Sequence, residues 1–250
     1  MVEEAVIIAG GFGSRLAGFH DLKPKGFITL ENDVPIVKQS IDKLLEAGIK
    51  RIIIGTGHLA EYYNELAKQY SCVTTVHNAN YANTGSMGTL EVAAKAVSGD
   101  CLLLESDLIY EKSGLKVLLD VPYPDVLLAS GQTNSGDEVW VEISEEQTLV
   151  NLSKKKEELR SVFGELSGIS KYSYQTLMNM CKYAESMRDV RPKMEYEEAM
   201  VNAGKIRGIH VHKFEKFIWC EIDDERQYWN AVKKVYPAIK AAEQKLTNLN

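Results

Sequence analysis

Apolar and polar positions follow two different periods along the first half of the chain. Short apolar runs of strand length, beginning with Ala5–Ala9, are separated by longer stretches whose apolar residues recur at helical spacing. This pattern predicts strands at 5–9, 27–30, 51–55, 72–76 and 101–104, and helices at 35–47, 59–70 and 89–97. Strands that alternate with helices favour a Rossmann-like, doubly wound α/β fold. Ligands of such sheets bind beyond the carboxyl ends of the strands.

The pattern changes from residue 125 onward. Short segments with partial alternation predict strands at 126–130, 138–143, 149–152, 165–170 and 206–211. Helical spacing predicts helices at 174–186 and 195–203, and a final helix over 225–246 that is interrupted at Pro237. We therefore predict a single domain with a mostly parallel, mixed sheet, divided into the halves 1–124 and 125–250.

The first predicted strand ends in a glycine-rich loop, Gly10-Gly11-Phe12-Gly13-Ser14-Arg15, and Lys25 follows ten positions after Arg15. The N–H groups of such a loop can approach an anion closely, and Arg15 and Lys25 would add positive charge. A dinucleotide fingerprint does not fit because Leu16 occupies its third glycine position, and the G-K-[ST] tripeptide of a Walker loop is absent from the sequence. The loop predicts a triphosphate site; a tight turn with two surface cations is the alternative.

These residues resemble the opening signature of the nucleotidyltransferases, Gly-Gly-x-Gly-Ser-Arg-Leu followed by Pro24-Lys25. Within that superfamily the chain is most similar to the cytidylyltransferases that act on 2-aminoethylphosphonate, in phosphonate biosynthesis, and on phosphocholine. The resemblance implies transfer of CMP from CTP to a phosphonate or phosphate acceptor, with Mg²⁺ as cofactor and pyrophosphate as the second product. It makes 1–124 the nucleotide-binding half and 125–250 the acceptor-binding half with the C-terminal helix.

The resemblance also implies roles for individual residues. Lys25 and Arg15 would be catalytic, and Asp107 and Asp223 would hold Mg²⁺, although either aspartate could instead cap the helix that follows it. Residues expected to bind the nucleotide are Ala9, Gly10, Gly11, Gly13, Ser14, Arg15, Lys25, Asn80, Gly85 and Ser86.

The acceptor is expected to contact Ser86, Trp140, Tyr172 and Glu198. Glu198 is included because the resembled family has an acid near the acceptor's ammonium, although an acidic run is also typical of a solvated helix face. The loop at 77–89 leads into a predicted helix, so its end should offer free N–H groups; a capped surface loop is the alternative. This loop has no aromatic residue after its last asparagine, which favours 2-aminoethylphosphonate over phosphocholine, since quaternary ammonium groups bind chiefly to aromatic faces.

Composition narrows the classes of partner. The formal net charge of −6 argues against nucleic-acid binding, which needs an excess of clustered lysine and arginine. Glu3-Glu4 and a five-residue apolar run are typical of neither a signal peptide nor a membrane span. Four widely spaced cysteines favour free thiols, and together these features predict a cytoplasmic protein.

Several alternatives stay open from the sequence. The acceptor could be a sugar 1-phosphate, the nucleotide could carry another base, or the chain could be a nucleotide-binding regulatory protein without catalysis. The charged, amphipathic final helix could be a true terminus, a contact between two copies in a homodimer, or a link to a further domain.

Overall fold

The computed structural model describes residues 2–13, 23–31 and 33–247, with side chains up to residue 245. The strands within these ranges are β1 Glu4–Ala9, β2 Arg51–Thr56, β3 Val73–His77, β4 Cys101–Glu105, β5 Leu108–Tyr110, β6 Val126–Ser130, β7 Trp140–Ile143, β8 Leu149–Ser153, β9 Gly164–Tyr172, β10 His210–Phe214 and β11 Trp219–Glu221. The helices are α1 Ile36–Glu46, α2 Ala60–Ala67, α3 Ser86–Ala94, α4 Ser113–Asp120, α5 Tyr174–Met187, α6 Tyr196–Arg207, α7 Glu225–Asn230 and α8 Tyr236–Thr247.

Nine of the described strands form one mixed sheet, in which β10-β6-β9-β4-β1-β2-β3 is the order of the main path. Strands β4, β1, β2 and β3 run parallel to one another, and β10 is parallel to β6. Strand β9 is antiparallel to both β4 and β6, and the hairpin β7–β8 extends from β9. The mostly parallel α/β fold is therefore confirmed. Because β1, β2 and β4 are parallel, their carboxyl ends meet at one edge, as ligand binding requires.

The sheet is buried on both faces. Alternate residues of β1 belong to different hydrophobic clusters: Val6 and Ile8 pack with α3 and α5, whereas Ile7 packs with α1 on the opposite face. Side chains that alternate across a strand explain why this run is continuously apolar. A third cluster, built around Ile222 and Ile239, seats α8 against β5 and β11. Packing of these layers fixes the positions of the strand ends, which carry polar side chains.

Two predicted strands are wrong in part or completely. Residues 27–30 do not form a strand: the chain makes a 3₁₀ turn at Lys25–Phe27, and Thr29 makes only an isolated bridge to Pro35. The segment 206–211 begins as helix, because α6 continues to Arg207 and β10 starts only at His210. Ile209 fits both periods, since it lies three positions after Ile206, as in a helix, and two before Val211, as in a strand, so the pattern alone did not locate this boundary.

Two short strands were not predicted, β5 and β11, which pair antiparallel in a separate two-stranded sheet. The final helix is interrupted, as predicted, but the break precedes the proline. Residues Ala231–Val235 form a π-helical turn that leads directly into α8, and Pro237, which has no N–H to donate, follows this turn. Among the described residues, every helix is too short or too polar to cross a bilayer.

Candidate active site

A cleft of about 490 Å³ opens at the carboxyl ends of β1 and β4. One wall consists of the glycine loop and the segment 81–89. The other wall combines the ends of β4 and β11, part of β9, the loop at 133–139 and the start of α6. Both halves of the chain therefore line one cavity, at the edge of the sheet where the fold predicts a ligand.

Lys25, Asp107 and Asp223 converge at the floor of this cleft. The Lys25 Nζ donates to Asp107 Oδ2 at 3.0 Å and also to Asp223 Oδ1. The Ile222 N–H donates to the carbonyl oxygen of Asp107 at 3.1 Å, which ties the two acid-bearing segments together. One ammonium group therefore neutralises two buried carboxylates from distant parts of the chain.

Neither aspartate caps a helix in the described structure. The N-cap of α7 is Asp224, whose Oδ1 accepts from Gln227 N–H at 2.8 Å, while α4 begins after Lys112 without a side-chain cap. The capping alternative is removed for Asp107 and Asp223, and both side chains face the cleft. Their oxygen donors are of the type that Mg²⁺ prefers, so the residues present fit a magnesium site.

A wider acidic group adjoins this pair. Carboxylate oxygens of Glu105, Asp107 and Glu221 lie within 4.8 Å of one another, and the Tyr196 hydroxyl donates to Glu105 at 2.5 Å. Burial, followed by the charge of Glu221, raises the pKa of Glu105 well above its usual range. Burial and then the charge of Asp107 raise the pKa of Glu221 to about 7. Carboxylates held this close favour a bound cation.

Glu197 completes the acidic group from the start of α6. Its side chain lines the cleft, and its Oε2 is buried without a hydrogen-bonding partner among the described residues. Burial raises the pKa of Glu197 to about 7. A buried acceptor oxygen without a donor is costly, so this atom is suited to receive a donor from a ligand.

The described lining as a whole is acidic, with eight carboxyl side chains and three lysines. Phosphate-bearing ligands alone would not be matched by such a surface, because like charges repel. The excess acid is therefore consistent with a metal ion and a cationic group on a substrate.

The described part of the glycine loop borders the cleft. Ala9, Gly10 and Gly11 line the cleft, and Gly13 adopts a left-handed conformation with φ of 64° beside the Lys25 side chain. Ser14 and Arg15, which were predicted to bind phosphate, lie outside the described residues.

The predicted base loop is arranged differently from the expectation. Helix α3 begins at Ser86 rather than Thr89, and its first N–H groups are not free: Ser86 N–H donates to Glu195 Oε2 at 2.9 Å and Met87 N–H to a backbone carbonyl. Gly85 and Ser86 do line the cleft. Asn80 does not, since its carboxamide oxygen accepts from Asn83 and its carbonyl from a threonine within the turn.

Three predicted acceptor residues lie away from the cleft. The ring of Trp140 is covered by Lys156, whose Nζ is 3.8 Å from the ring centroid, and Tyr172 is fully buried in the core. Glu198 pairs with Arg191 at 2.6 Å. Successive helix positions point about 100° apart, so Glu197, not Glu198, faces the cavity.

The sequence carried a signal for two of the missed acids. Glu105 precedes Asp107 by two positions, and Glu221 precedes Asp223 by two. Residues two positions apart in a strand lie on the same side of it, so the glutamate before each aspartate is predicted to face the same cleft.

Comparison with known proteins agrees with this geometry. Residues 5–164, which include the glycine loop, Lys25 and Asp107, match the MobA-like NTP transferase domain. The chain belongs to this family. This confirms the nucleotidyltransferase resemblance drawn from the glycine loop.

Individual relatives of this NTP transferase are distant. It is 30% identical over 106 residues to the 2-aminoethylphosphonate cytidylyltransferase of Lancefieldella rimae, a match covering 42% of this chain and 43% of that protein. It thus spans less than half of that relative's length. It is 23% identical over 242 residues to the choline-phosphate cytidylyltransferase of Haemophilus influenzae, covering 93% and 97%.

A solved structure shares the fold of this NTP transferase over nearly its full length. The inositol-1-phosphate CTP transferase of T. maritima superposes with a TM-score of 0.81 at 18% identity, covering 96% of this chain and 95% of the other. At that identity the likeness establishes the architecture alone.

Proposed function

We propose that this chain transfers a cytidylyl group from CTP to a small phosphonate or phosphate acceptor that carries an ammonium group. The observation that carries the proposal is the convergence of Lys25, Asp107 and Asp223 beside the acidic group formed by Glu105, Glu197 and Glu221. The family match and the cytidylyltransferase names of the relatives support the reaction class.

The proposed reaction is an in-line displacement at the α-phosphorus of CTP. An acceptor oxygen forms the new P–O bond, the bond to the bridging α–β oxygen breaks, and pyrophosphate leaves with that electron pair. A phosphonate or phosphate oxygen is already ionised near neutral pH, so no general base is needed. The protein has to position two anions and stabilise the charge that develops between them.

Each charged group that takes part in the reaction has a proposed partner in the chain. Lys25 would stabilise the α-phosphoryl group in the transition state, and Asp107 and Asp223 would hold Mg²⁺. The metal ion, when bound, would neutralise phosphate charge. The glycine-loop amides and Arg15 would hold the β- and γ-phosphates.

The acidic group supports an acceptor that carries an ammonium group. A primary ammonium has three N–H donors, and Glu197 Oε2 is an acceptor oxygen without a donor among the described residues. Of the ammonium-bearing acceptors, we favour 2-aminoethylphosphonate, which the relative from Lancefieldella rimae is named for. A sugar 1-phosphate would bring no positive group to Glu197.

Phosphocholine is the second candidate, and a specific observation favours it. Tyr196 and Trp219 line the same cleft as Glu197, and aromatic side chains bind quaternary ammonium groups. The match to the choline-phosphate enzyme also extends over nearly the full chain.

An acceptor panel with CTP and Mg²⁺, scored by pyrophosphate release, tests the proposal. Competition in one reaction should show 2-aminoethylphosphonate preferred over phosphocholine by at least about tenfold in kcat/KM, which requires only ~1.4 kcal/mol of differential transition-state binding. Preference for phosphocholine would reverse the acceptor assignment, and preference for glucose 1-phosphate would reject the ammonium class. CTP binding without turnover of any acceptor would favour a regulatory protein. Faster turnover with UTP or ATP than with CTP would reject cytosine as the base of the nucleotide substrate.

A further inference from the structure

Three aromatic rings meet beside the glycine loop, and two of them belong to residues that line the cleft, Phe12 and Tyr81. The ring centroid of Phe12 lies 5.3 Å from that of Tyr81 and 5.3 Å from that of His58, and the last two lie 6.1 Å apart. Phe12 is nevertheless 53% exposed. A ring held by two others but open on its remaining surface presents a flat apolar face to a ligand.

The backbone segments beneath these rings lie close to one another at Gly57. A Cβ atom at Gly57 would lie 2.5 Å from the Gly10 carbonyl oxygen and 2.7 Å from Tyr81 Cβ, so a larger residue would push the three segments apart. Gly57 therefore lets the turn after β2 support the glycine loop and Tyr81 together. The aromatic cluster is fixed in the wall of the cleft by this contact.

Charge divides the described lining of the cleft into two regions. Within the described lining, the residues from the end of β1, from positions 10–12 of the glycine loop and from the segment 81–89 are all uncharged. The carboxylates and lysines of the described lining lie on the remaining elements, from Lys25 to Asp223. A flat, uncharged base fits the first region, whereas the acidic second region fits a metal ion and a cationic group on the acceptor.

We propose that Phe12 and Tyr81, braced by His58, form the surface on which the pyrimidine base of the nucleotide stacks. This inference rests on the proposed function, because it requires a nucleotide substrate. It makes Phe12 and Tyr81 positioning residues that hold the base while the triphosphate extends along the glycine loop toward Lys25. Stacking on aromatic rings tolerates any base, so the surface supplies affinity and orientation rather than discrimination between bases.

Paired titrations separate the base from the triphosphate. Calorimetry on Phe12→Ala and Tyr81→Leu should show CTP binding weakened by about tenfold or more, the loss typical of one base–aromatic stack, with binding of inorganic triphosphate within about twofold of wild type. Tyr81→Phe keeps the ring and should keep the affinity. Tyr174→Ala removes an exposed ring of α5 outside the cleft and serves as the matched control.

A spectroscopic readout tests the stack itself. The cytosine H5 and H6 resonances of bound CTP should move upfield in the wild type, and this shift should shrink in Phe12→Ala. Unchanged CTP affinity in both variants, or an equal loss for CTP and triphosphate, would overturn the inference while leaving the transferase proposal standing. Failure of the wild type to bind CTP at all would overturn the proposed function, and the inference with it.

Discussion

The ammonium of Lys25 contacts the carboxylate of Asp223, although 198 positions separate the two residues in the chain. Asp107 accepts from the same ammonium, and its side chain is largely buried. Two carboxylates around one cation are stable only while that cation or another stays between them. Lys25 therefore holds the two carboxylates together before substrates bind.

Lys25→Ala should reduce turnover far more than it weakens CTP binding. The lysine is assigned to charge that grows in the transition state, and loss of one such contact costs on the order of 10²–10³ in kcat. Lys68→Ala, which removes an exposed lysine paired with Glu65, is the matched control and should leave kcat unchanged. A raised KM for CTP with near wild-type kcat would contradict the assigned role.

Asp107→Asn and Asp223→Asn should each raise the Mg²⁺ concentration needed for half-maximal activity, because each removes a charged oxygen ligand. Mg²⁺ should also raise the melting temperature of the wild type more than that of either variant, since a ligand stabilises the state that binds it. Glu105→Gln provides the comparison. If Glu105→Gln raised the Mg²⁺ requirement and Asp223→Asn did not, the metal would belong to Glu105, Asp107 and Glu221 instead.

The sequence predicted the strand ends of this site better than its side chains. The buried runs of β1 and β4 identified Gly10 and Asp107 because a parallel sheet brings its carboxyl ends together. By contrast, the position of β9 between β4 and β6 depends on tertiary pairing that no local period encodes. The choice between Glu197 and Glu198 likewise depends on the rotation of α6, which packing sets.

Glu197→Gln should raise the KM for 2-aminoethylphosphonate by roughly 10- to 100-fold, the loss expected when a hydrogen bond to a charged group is removed. The KM for CTP should stay within about twofold. Preference for 2-aminoethylphosphonate over ethylphosphonate, which lacks the ammonium, should shrink in parallel.

Glu198→Gln is the matched control for this prediction. It makes the same change one residue along α6, where the carboxylate pairs with Arg191 outside the cleft. Equal effects of the two substitutions would mean that Glu197 does not contact the acceptor.

Glu197 should also make folding stability depend on pH. Burial raises the pKa of Glu197 to about 7 in the folded chain, from an ordinary value of 4.5. Between these values the unfolded chain releases the Glu197 proton while the folded chain keeps it, so stability falls as pH rises. The contribution of Glu197 to stability is fully present below about pH 4.5 and is lost as pH rises through the pKa of the folded chain.

Glu197→Gln cannot ionise, so its melting temperature relative to wild type should increase from pH 5 to pH 7 and level off by pH 8. Thermal melts at these three values without Mg²⁺ measure the difference, and a difference that stayed constant with pH would show that Glu197 ionises alike in both states.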